Sequence, residues 1–132
     1  GVNMQNLAIR KTISLSLDLA VEKTTNALKE IGFGILTRID FDQKIKEKLG
    51  KQLPRTVILG ACNPALAYEA YMQNTDVTLL VPCNLVVREI AKGQCAIEMI
   101  RPSQMMQILP GIEMQDLITK AEADLSRVFA NL

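Results

Sequence analysis

The sequence predicts an α+β fold with a mixed, largely antiparallel sheet and helices packed mainly on one face, in a single pair of layers. In the first half of the chain, segments in which every second residue is apolar, typical of strands, are each followed by a segment of helical periodicity. Further on, two strand-like segments flank Lys92-Gly93, which is typical of a hairpin between antiparallel strands. The hairpin favours a mixed or antiparallel sheet, and a fully parallel α/β sheet is the alternative.

Two strands and a helix are predicted in the first third of the chain. Alternating apolar residues place the first strand at 7–17, with a bulge near Lys11. Asp18 is expected to cap the helix that follows, and Gly32 to end it as a C′ residue. Residues 33–39 alternate again and predict the second strand.

The next two helices are predicted from the residues that begin them. Asp40 and Gln43 have the spacing of the N-cap and N3 residues of a capping box. A strand at 55–61, with an apolar centre, is expected to be buried on both faces. Asn63 and Pro64 then supply an N-cap and an N1 proline, the usual start of a helix.

The last third of the chain predicts the hairpin and a final helix. Residues 77–81 predict a short strand or strand-like segment, and 84–90 and 95–100 predict the strands on either side of Lys92-Gly93. The final helix is predicted from seven apolar residues at helical spacing. They are Met114, Leu117, Ile118, Ala121, Leu125, Val128 and Phe129.

The composition predicts one domain over residues 1–132, with residues 1–6 expected to be frayed. The 15 basic and 14 acidic side chains give a net charge of +1, so no nucleic acid and no membrane is expected as a partner. Aromatic residues make up 4% of the chain, too few for a base-stacking surface. The longest apolar run, 77–87, is too short to span a bilayer, which needs about 20 apolar residues.

The absence of His from the sequence narrows the chemistry. It excludes Ser-His-Asp and Cys-His catalysis within one chain and removes the commonest zinc ligand. The cysteines, Cys62, Cys83 and Cys95, are irregularly spaced without a CxxC motif, which favours reduced thiols in the cytoplasm. As metal ligands, three cysteines without His suit zinc poorly. They suit monovalent copper better, because it tolerates two thiolates. From the sequence we predict no metal site and no cofactor.

The strongest candidate site is a pair of Cys-Asn motifs. Gly60-Ala61-Cys62-Asn63-Pro64 lies where a buried strand passes into a helix, a place suited to bind an anion or to lower the pKa of a thiol. The pair recurs in Pro82-Cys83-Asn84, before another strand. If the two strands are neighbours, both pairs face one pocket. The alternative is that Asn63 is only a cap, Cys62 only a buried apolar residue, and the two motifs unrelated turns.

Two other groups of residues have simpler interpretations. Met99, Met105, Met106 and Met114 cluster around a proline-rich connection. Methionine near cysteine is compatible with copper, but flexible core packing is its commoner use. The basic stretch 44–55 is interpreted as a solvated helix face, like the acidic residues of the final helix.

Three segments together resemble the domain of unknown function 302 family: Gly-Phe-Gly-Ile-Leu-Thr at 32–37, Leu-Gly-Ala-Cys-Asn-Pro-Ala-Leu-Ala at 59–67, and Leu-Leu-Val-Pro-Cys-Asn-Leu-Val-Val at 79–87. The similarity runs over residues 15–129. It implies a compact α+β fold, a bacterial or archaeal origin and a homodimer. The family has no assigned biochemical role, so no catalytic residue is carried over. The ligand-binding residues that the resemblance implies are Cys62, Asn63, Pro64, Pro82, Cys83 and Asn84.

These observations lead to three hypotheses for function. The favoured one is a homodimeric domain that binds a small molecule or an anion at a pocket formed by the paired Cys-Asn motifs. The first alternative is a homodimeric interaction module whose cysteines are structural. The second alternative is a thiol-based redox enzyme or sensor, which requires a thiolate with a lowered pKa. Enzymatic activity is left open but is less favoured, because no base lies near the thiols in the sequence.

Overall fold

The computed structural model describes residues 6–132. In chain order, its elements are β1 (Ala8–Ile13), α1 (Leu17–Lys29), β2 (Gly34–Asp40), α2 (Phe41–Leu49), β3 (Thr56–Cys62), α3 (Pro64–Gln73), a 3₁₀ helix (Thr75–Leu79), β4 (Cys83–Ala91), β5 (Gln94–Ile100), α4 (Pro102–Met106) and α5 (Gln115–Ala130). Within the described range, no helix is both long enough and apolar enough to cross a membrane. Of the residues predicted to be frayed, all but Asn6 lie outside that range.

The strands form one sheet in the order β1-β5-β4-β3-β2, and every neighbouring pair is antiparallel. The predicted α+β class is confirmed, and the parallel α/β alternative is wrong. The two strands that carry the Cys-Asn motifs, β3 and β4, are neighbours. The predicted hairpin joins β4 to β5, with Gly93 at φ +70°, in the left-handed region that glycine adopts at little cost.

The main core lies between one face of the sheet and the helices α1 and α5. The strand register places Ile9, Met99, Leu85 and Leu59 side by side in one row across four strands. Each of them is at most 6% exposed, and Phe129 of α5 belongs to the same cluster. Burial of a side chain of this size contributes roughly 1.5–3 kcal/mol, so this row is a main source of the fold's stability.

The opposite face of the sheet carries charged residues. Glu98 of β5 accepts a hydrogen bond from Nε of Arg10 at 2.7 Å, and its other oxygen lies 3.1 Å from Nη1 of Arg88. The three residues come from neighbouring strands, and both arginine side chains are 42% exposed or more. This face is therefore solvated, which agrees with the prediction that the helices pack mainly on one face.

A second apolar cluster forms where α3, the 3₁₀ helix, α4 and the start of α5 meet. Its buried members are Ala70, Val77 and Met114. Leu66 of α3 packs against both this cluster and the main core. The two clusters therefore adjoin at α3, and this junction is the place where the candidate site lies.

The first strand is shorter than predicted, and the predicted bulge near Lys11 is wrong. The register of β1 with β5 is unbroken from Ala8 to Ile13. Beyond Ile13 only Gln94 of β5 remains, because Ile13 lies opposite Cys95, the second residue of that strand. The chain turns there, and Ser16 rather than Asp18 caps α1, accepting a hydrogen bond from the N–H of Leu19 at 3.4 Å.

The end of α1 is as predicted. The N–H of Phe33 donates to the carbonyl of Leu28 at 3.0 Å, and the N–H of Gly32 donates to that of Lys29 at 3.1 Å. These two bonds define a Schellman motif with a left-handed C′ residue. Gly32, at φ +86°, occupies that position.

The predicted capping box at α2 is wrong. Asp40 is the N-cap residue, but its side chain makes no cap hydrogen bond and instead accepts one from Arg38 at 3.1 Å. The carboxylate of Asp42 accepts from the N–H of Thr56 at 2.9 Å and so ties α2 to β3. The spacing of Asp40 and Gln43 predicts the capping box, but the competing contact of Asp40 with Arg38 does not follow from spacing.

Residues 77–81 do not form the predicted strand, because the segment enters a 3₁₀ helix. The side chain of Asn74 accepts from the N–H of Asp76 at 2.9 Å, an Asx turn that starts the 3₁₀ helix. Val77 is then buried while Leu79 is 81% exposed. Similarly, β3 is not fully buried on both faces, since Ile58 is only half-buried.

Candidate functional site

A cavity of about 50 Å³ lies between the main core and the second apolar cluster. Cys62 and Asn63 line it from the junction of β3 and α3, and Cys83 lines it from the start of β4. The rest of the wall is mainly apolar and comes from α3, the 3₁₀ helix, α4 and the start of α5. The structure therefore brings three of the six predicted site residues to one cavity.

The register of β3 with β4 brings Cys62 and Cys83 close together. Ala61 lies directly opposite Cys83, and Gly60 lies opposite Asn84. Cys62 is thus one residue from the direct partner of Cys83, which by ladder geometry places their Cα atoms about 6 Å apart. Both residues lie at strand ends, the last of β3 and the first of β4. Alternation along β3 would turn Cys62 away from the face that Ala61 and Cys83 share, so the register gives proximity only. Both residues nevertheless line the one cavity at these strand ends.

Asn63 holds the junction between β3 and α3. Its Oδ1 accepts a hydrogen bond from the N–H of Leu66 at 3.3 Å, and Pro64 follows at N1, so the predicted helix start is confirmed. The amide also packs against Gly32, because a Cβ on that glycine would lie 3.3 Å from Nδ2 of Asn63. The side chain that caps α3 therefore also contacts the turn at the end of α1.

The start of α3 offers little to a free anion. A helix N-terminus attracts anions through its unpaired N–H groups. Here Pro64 has no N–H, and Asn63 already accepts from the N–H of Leu66. Among the described residues, no Lys or Arg lines the cavity. The site is therefore better suited to a ligand that is not a free anion.

The other three predicted site residues lie outside the cavity wall. Pro64 is exposed at the start of α3, and Asn84 is exposed on β4. Pro82 packs against Gly60, where an added Cβ would lie 2.6 Å from its Cγ and closer still to the hydroxyl of Thr37. This close approach gives Gly60 and Pro82 a packing role.

Both cavity thiols are held in the protonated form. Burial, together with the neighbouring Cys62, raises the pKa of Cys83 to about 11. Burial also raises the pKa of Cys62 above its ordinary value. The expectation that the start of α3 lowers the pKa of Cys62 therefore does not agree with the structure. A thiol nucleophile needs the opposite shift.

Cys95 lies apart from the site. It is fully buried in the main core, and its Sγ donates to the carbonyl of Leu15 at 3.4 Å. Burial and the nearby Glu89 raise the pKa of this thiol, and Arg55 partly opposes them. Cys95 is therefore a packing residue and a natural internal control for the other two thiols.

A family model described as a domain of unknown function, DUF302, matches residues 9–132. The chain belongs to the DUF302 family. The crystal structure of an uncharacterized conserved DUF302 protein from Bacillus stearothermophilus is similar, with a TM-score of 0.73 and 27% sequence identity. The similarity covers 95% of this chain and 94% of that one. A search among curated proteins found no match.

Methionines complete the wall of the cavity in this DUF302 domain. Met105 and Met106 of α4 and Met114 at the start of α5 all line it, and Met105 and Met114 are at most 6% exposed. The sequence grouped these three with Met99, but Met99 lies in the main core. The cluster of methionines was the feature of the sequence that indicated this part of the wall. The sequence did not predict α4, the five-residue helix that places two of them there.

The donor set of the cavity is sulfur-rich. Within residues 6–132, no three His, Cys, Asp or Glu side chains come together in a group able to hold a metal ion. The cavity instead combines two thiols with three thioethers and one amide. Such a wall can exclude water and contact a small apolar or sulfur-binding ligand, but it supplies no base for proton transfer.

Proposed function

We propose that this DUF302 domain binds a small ligand in the cavity between its two apolar clusters, with polar contacts from Cys62, Asn63 and Cys83. The observation that carries the proposal is that two thiols from different segments and the cap of α3 line one apolar-walled space. Apolar pockets with a few convergent polar groups are the usual form of binding sites.

The size of the cavity restricts the ligand. A cavity needs at least about 10–15 Å³ to hold one water molecule, so 50 Å³ accommodates an ion or a molecule of a few heavy atoms. Cavities that bind drug-sized ligands measure roughly 300–1,000 Å³. A nucleotide or another large cofactor therefore does not fit. An anion is less favoured than a neutral or cationic ligand, because no cationic side chain among the described residues faces the space.

The experiment uses the methyl groups of methionine as NMR reporters. Met105, Met106 and Met114 line the cavity, whereas Met72 is 64% exposed and Met99 lies in the main core. The protein is titrated with solutes of a few heavy atoms, namely neutral alcohols and nitriles, small anions, and the soft cations Cu(I) and Ag(I). We expect shifts confined to the three cavity methionines.

A pair of matched variants locates the binding. Ala67 lines the cavity, whereas Ala65 is exposed on the same helix. Ala67→Leu fills the space and should abolish the shifts, and Ala65→Leu should leave them intact. The proposal fails if no solute shifts the cavity methyls, or if Ala67→Leu folds and leaves the shifts unchanged.

We also propose that the domain forms a homodimer through the outer surface of α3 and the 3₁₀ helix. Four large apolar side chains there are 46% exposed or more, and Glu69 is the only charged residue of α3. Exposed apolar patches commonly mark interfaces, and a net charge of +1 opposes self-association little. The four side chains are Tyr68, Tyr71, Met72 and Leu79.

Sedimentation velocity tests the homodimer. We expect a dimer for the wild type, a monomer for Leu79→Lys, and a dimer for Leu36→Lys, which adds the same charge at an exposed leucine of β2. A monomeric wild type at the highest soluble concentration would exclude the dimer.

Near-neutral charge and few aromatic residues support our proposal that neither nucleic acid nor membrane is a partner. The free thiols support a reducing compartment such as the cytoplasm.

A further inference from the structure

Sulfur converges on the cavity from two directions. Cys62 and Cys83 approach from the adjoining ends of β3 and β4, and Met105, Met106 and Met114 approach from α4 and the start of α5. The chain has 3 cysteines and 6 methionines, nine sulfur-bearing residues in all, and five of them line this one space. Apolar packing alone does not require thiols and thioethers to face each other.

The donor set selects a class of metal ion. Thiolates and thioethers are soft ligands that favour Cu(I), whereas zinc sites usually add His or carboxylate ligands. Among the described residues, no carboxylate lines the cavity, and the chain has no His. The small volume also suits a bare ion with few ligands, and the apolar wall excludes the water that a hard cation would retain.

We propose that the cavity is a binding site for a soft monovalent metal ion, Cu(I), held by the sulfur atoms of Cys62 and Cys83 and by at least one of the thioethers of Met105 and Met114. The proposal rests on the proposed function, because it names the ligand of the same cavity. Binding replaces an S–H bond of a cysteine with an S–Cu bond and releases one proton to solvent for each thiol that is ionised. The oxidation state of copper does not change.

Charge favours a site in which not every thiol ionises. One thiolate with thioethers neutralises Cu(I), whereas two thiolates leave one negative charge in an apolar cavity. A buried uncompensated charge is costly. We therefore expect the thioethers to contribute to affinity rather than only to packing.

The test is an anaerobic competition between the full chain and bicinchoninate, a coloured chelator of Cu(I). We expect the wild type to withdraw one Cu(I) per chain. Cys62→Ser and Cys83→Ser should each lower the affinity by about 100-fold, and Met105→Leu by about 10-fold, as for other changes near metal sites. Cys95→Ser and Met99→Leu are the matched controls, because both residues are buried outside the cavity. These controls should keep wild-type affinity.

Two further measurements separate the site from mere packing. X-ray absorption of the copper complex should show only sulfur neighbours, and Ag(I) should shift the cavity methionine methyls and not Met72. Circular dichroism identifies any variant that fails to fold, and Cys62 and Cys83 are both only half-buried. The proposal is overturned if the wild type does not compete for copper, or if Cys62→Ser and Cys95→Ser bind it equally well. If copper does not bind but a neutral solute shifts the cavity methyls, only the copper assignment fails. If no solute shifts them, the proposed function fails as well.

Discussion

The reactivity of Cys83 gives the sharpest prediction about the site. Its pKa is raised from 9.0 to about 11 by burial and, secondly, by Cys62. Only the thiolate is alkylated. At pH 7 the thiolate fraction falls by a factor of ten for each pKa unit, so Cys83 should react about 100-fold more slowly than a thiol of pKa 9.0. Restricted access in the cavity adds to this factor.

The assay is native alkylation with iodoacetamide across a range of pH, read for each cysteine by peptide mass spectrometry. The rate at Cys83 should keep rising until about pH 11. Cys62→Ser removes the second cause of the shift, so it should lower the apparent pKa of Cys83 and leave it above 9.0, because burial remains the larger cause. Cys95 is the internal control, since it is fully buried and should react only when the protein unfolds.

One result would refute this reasoning directly. An apparent pKa for Cys83 or Cys62 at or below the free-thiol value of about 8.5, with Cys95 still protected, would show that the cavity stabilises a thiolate. The thiol-based enzyme or sensor would then become the leading hypothesis, and oxidants would be the next ligands to test. If instead Cys83 and Cys95 react together, the measured rate reports unfolding and the assay must move to lower pH.

Three further predictions concern stability. Gly60→Ala should lower the free energy of unfolding by about 1–3 kcal/mol, because the new Cβ meets Cγ of Pro82 at 2.6 Å; an unchanged urea midpoint would contradict this crowding. Thr24→Val should raise stability by about 1 kcal/mol, because the buried hydroxyl of Thr24 has no hydrogen-bond partner, and calorimetry should show a melting temperature a few degrees higher. Hydrogen bonds from Arg127 and, secondly, from Lys120 lower the pKa of Asp124. The stability that the Asp124 carboxylate contributes is therefore present above the ordinary pKa of 3.8 and is lost as pH falls through the lower pKa of the folded state. Asp124→Asn should therefore be slightly less stable than wild type at neutral pH and equally stable at about pH 2, and a gap that persists in acid would rule out the carboxylate as its cause.

The sequence predicted the fold where local chemistry and tertiary contacts agree. Gly32 ends α1 and Asn63 begins α3 as their residue types suggest, because each position satisfies backbone groups of its own helix. The predictions failed where residues distant in sequence determine the hydrogen bonding or the length of an element. The predicted capping box at α2 does not form, and the neighbouring Asp42 bonds to β3. The strand at the N-terminus stops at Ile13, opposite the second residue of β5.

The candidate site could be predicted only in part for the same reason. The repeated Cys-Asn motif identified Cys62 and Cys83, which lie close together because their strands are neighbours and which both line the cavity. It also suggested Asn84, which alternation along β4 leaves exposed on the strand. The thioether wall depends on how α4 folds back over the cavity, and no local pattern encodes that placement. Met105 was therefore visible in the sequence, but its place in the cavity wall was not.

The raised pKa values favour a binding site over a site of thiol catalysis. A nucleophilic thiol must lose its proton before it meets its substrate, so burial that opposes ionisation lowers its rate. A soft metal displaces the proton as it binds, so the same burial is compatible with tight coordination and makes the affinity depend on pH. Each proton released raises the apparent affinity tenfold per pH unit below the thiol pKa. A cavity that keeps Cys62 and Cys83 protonated when empty is protected from alkylating agents and oxidants, yet a thiol there can still exchange its proton for a soft metal ion.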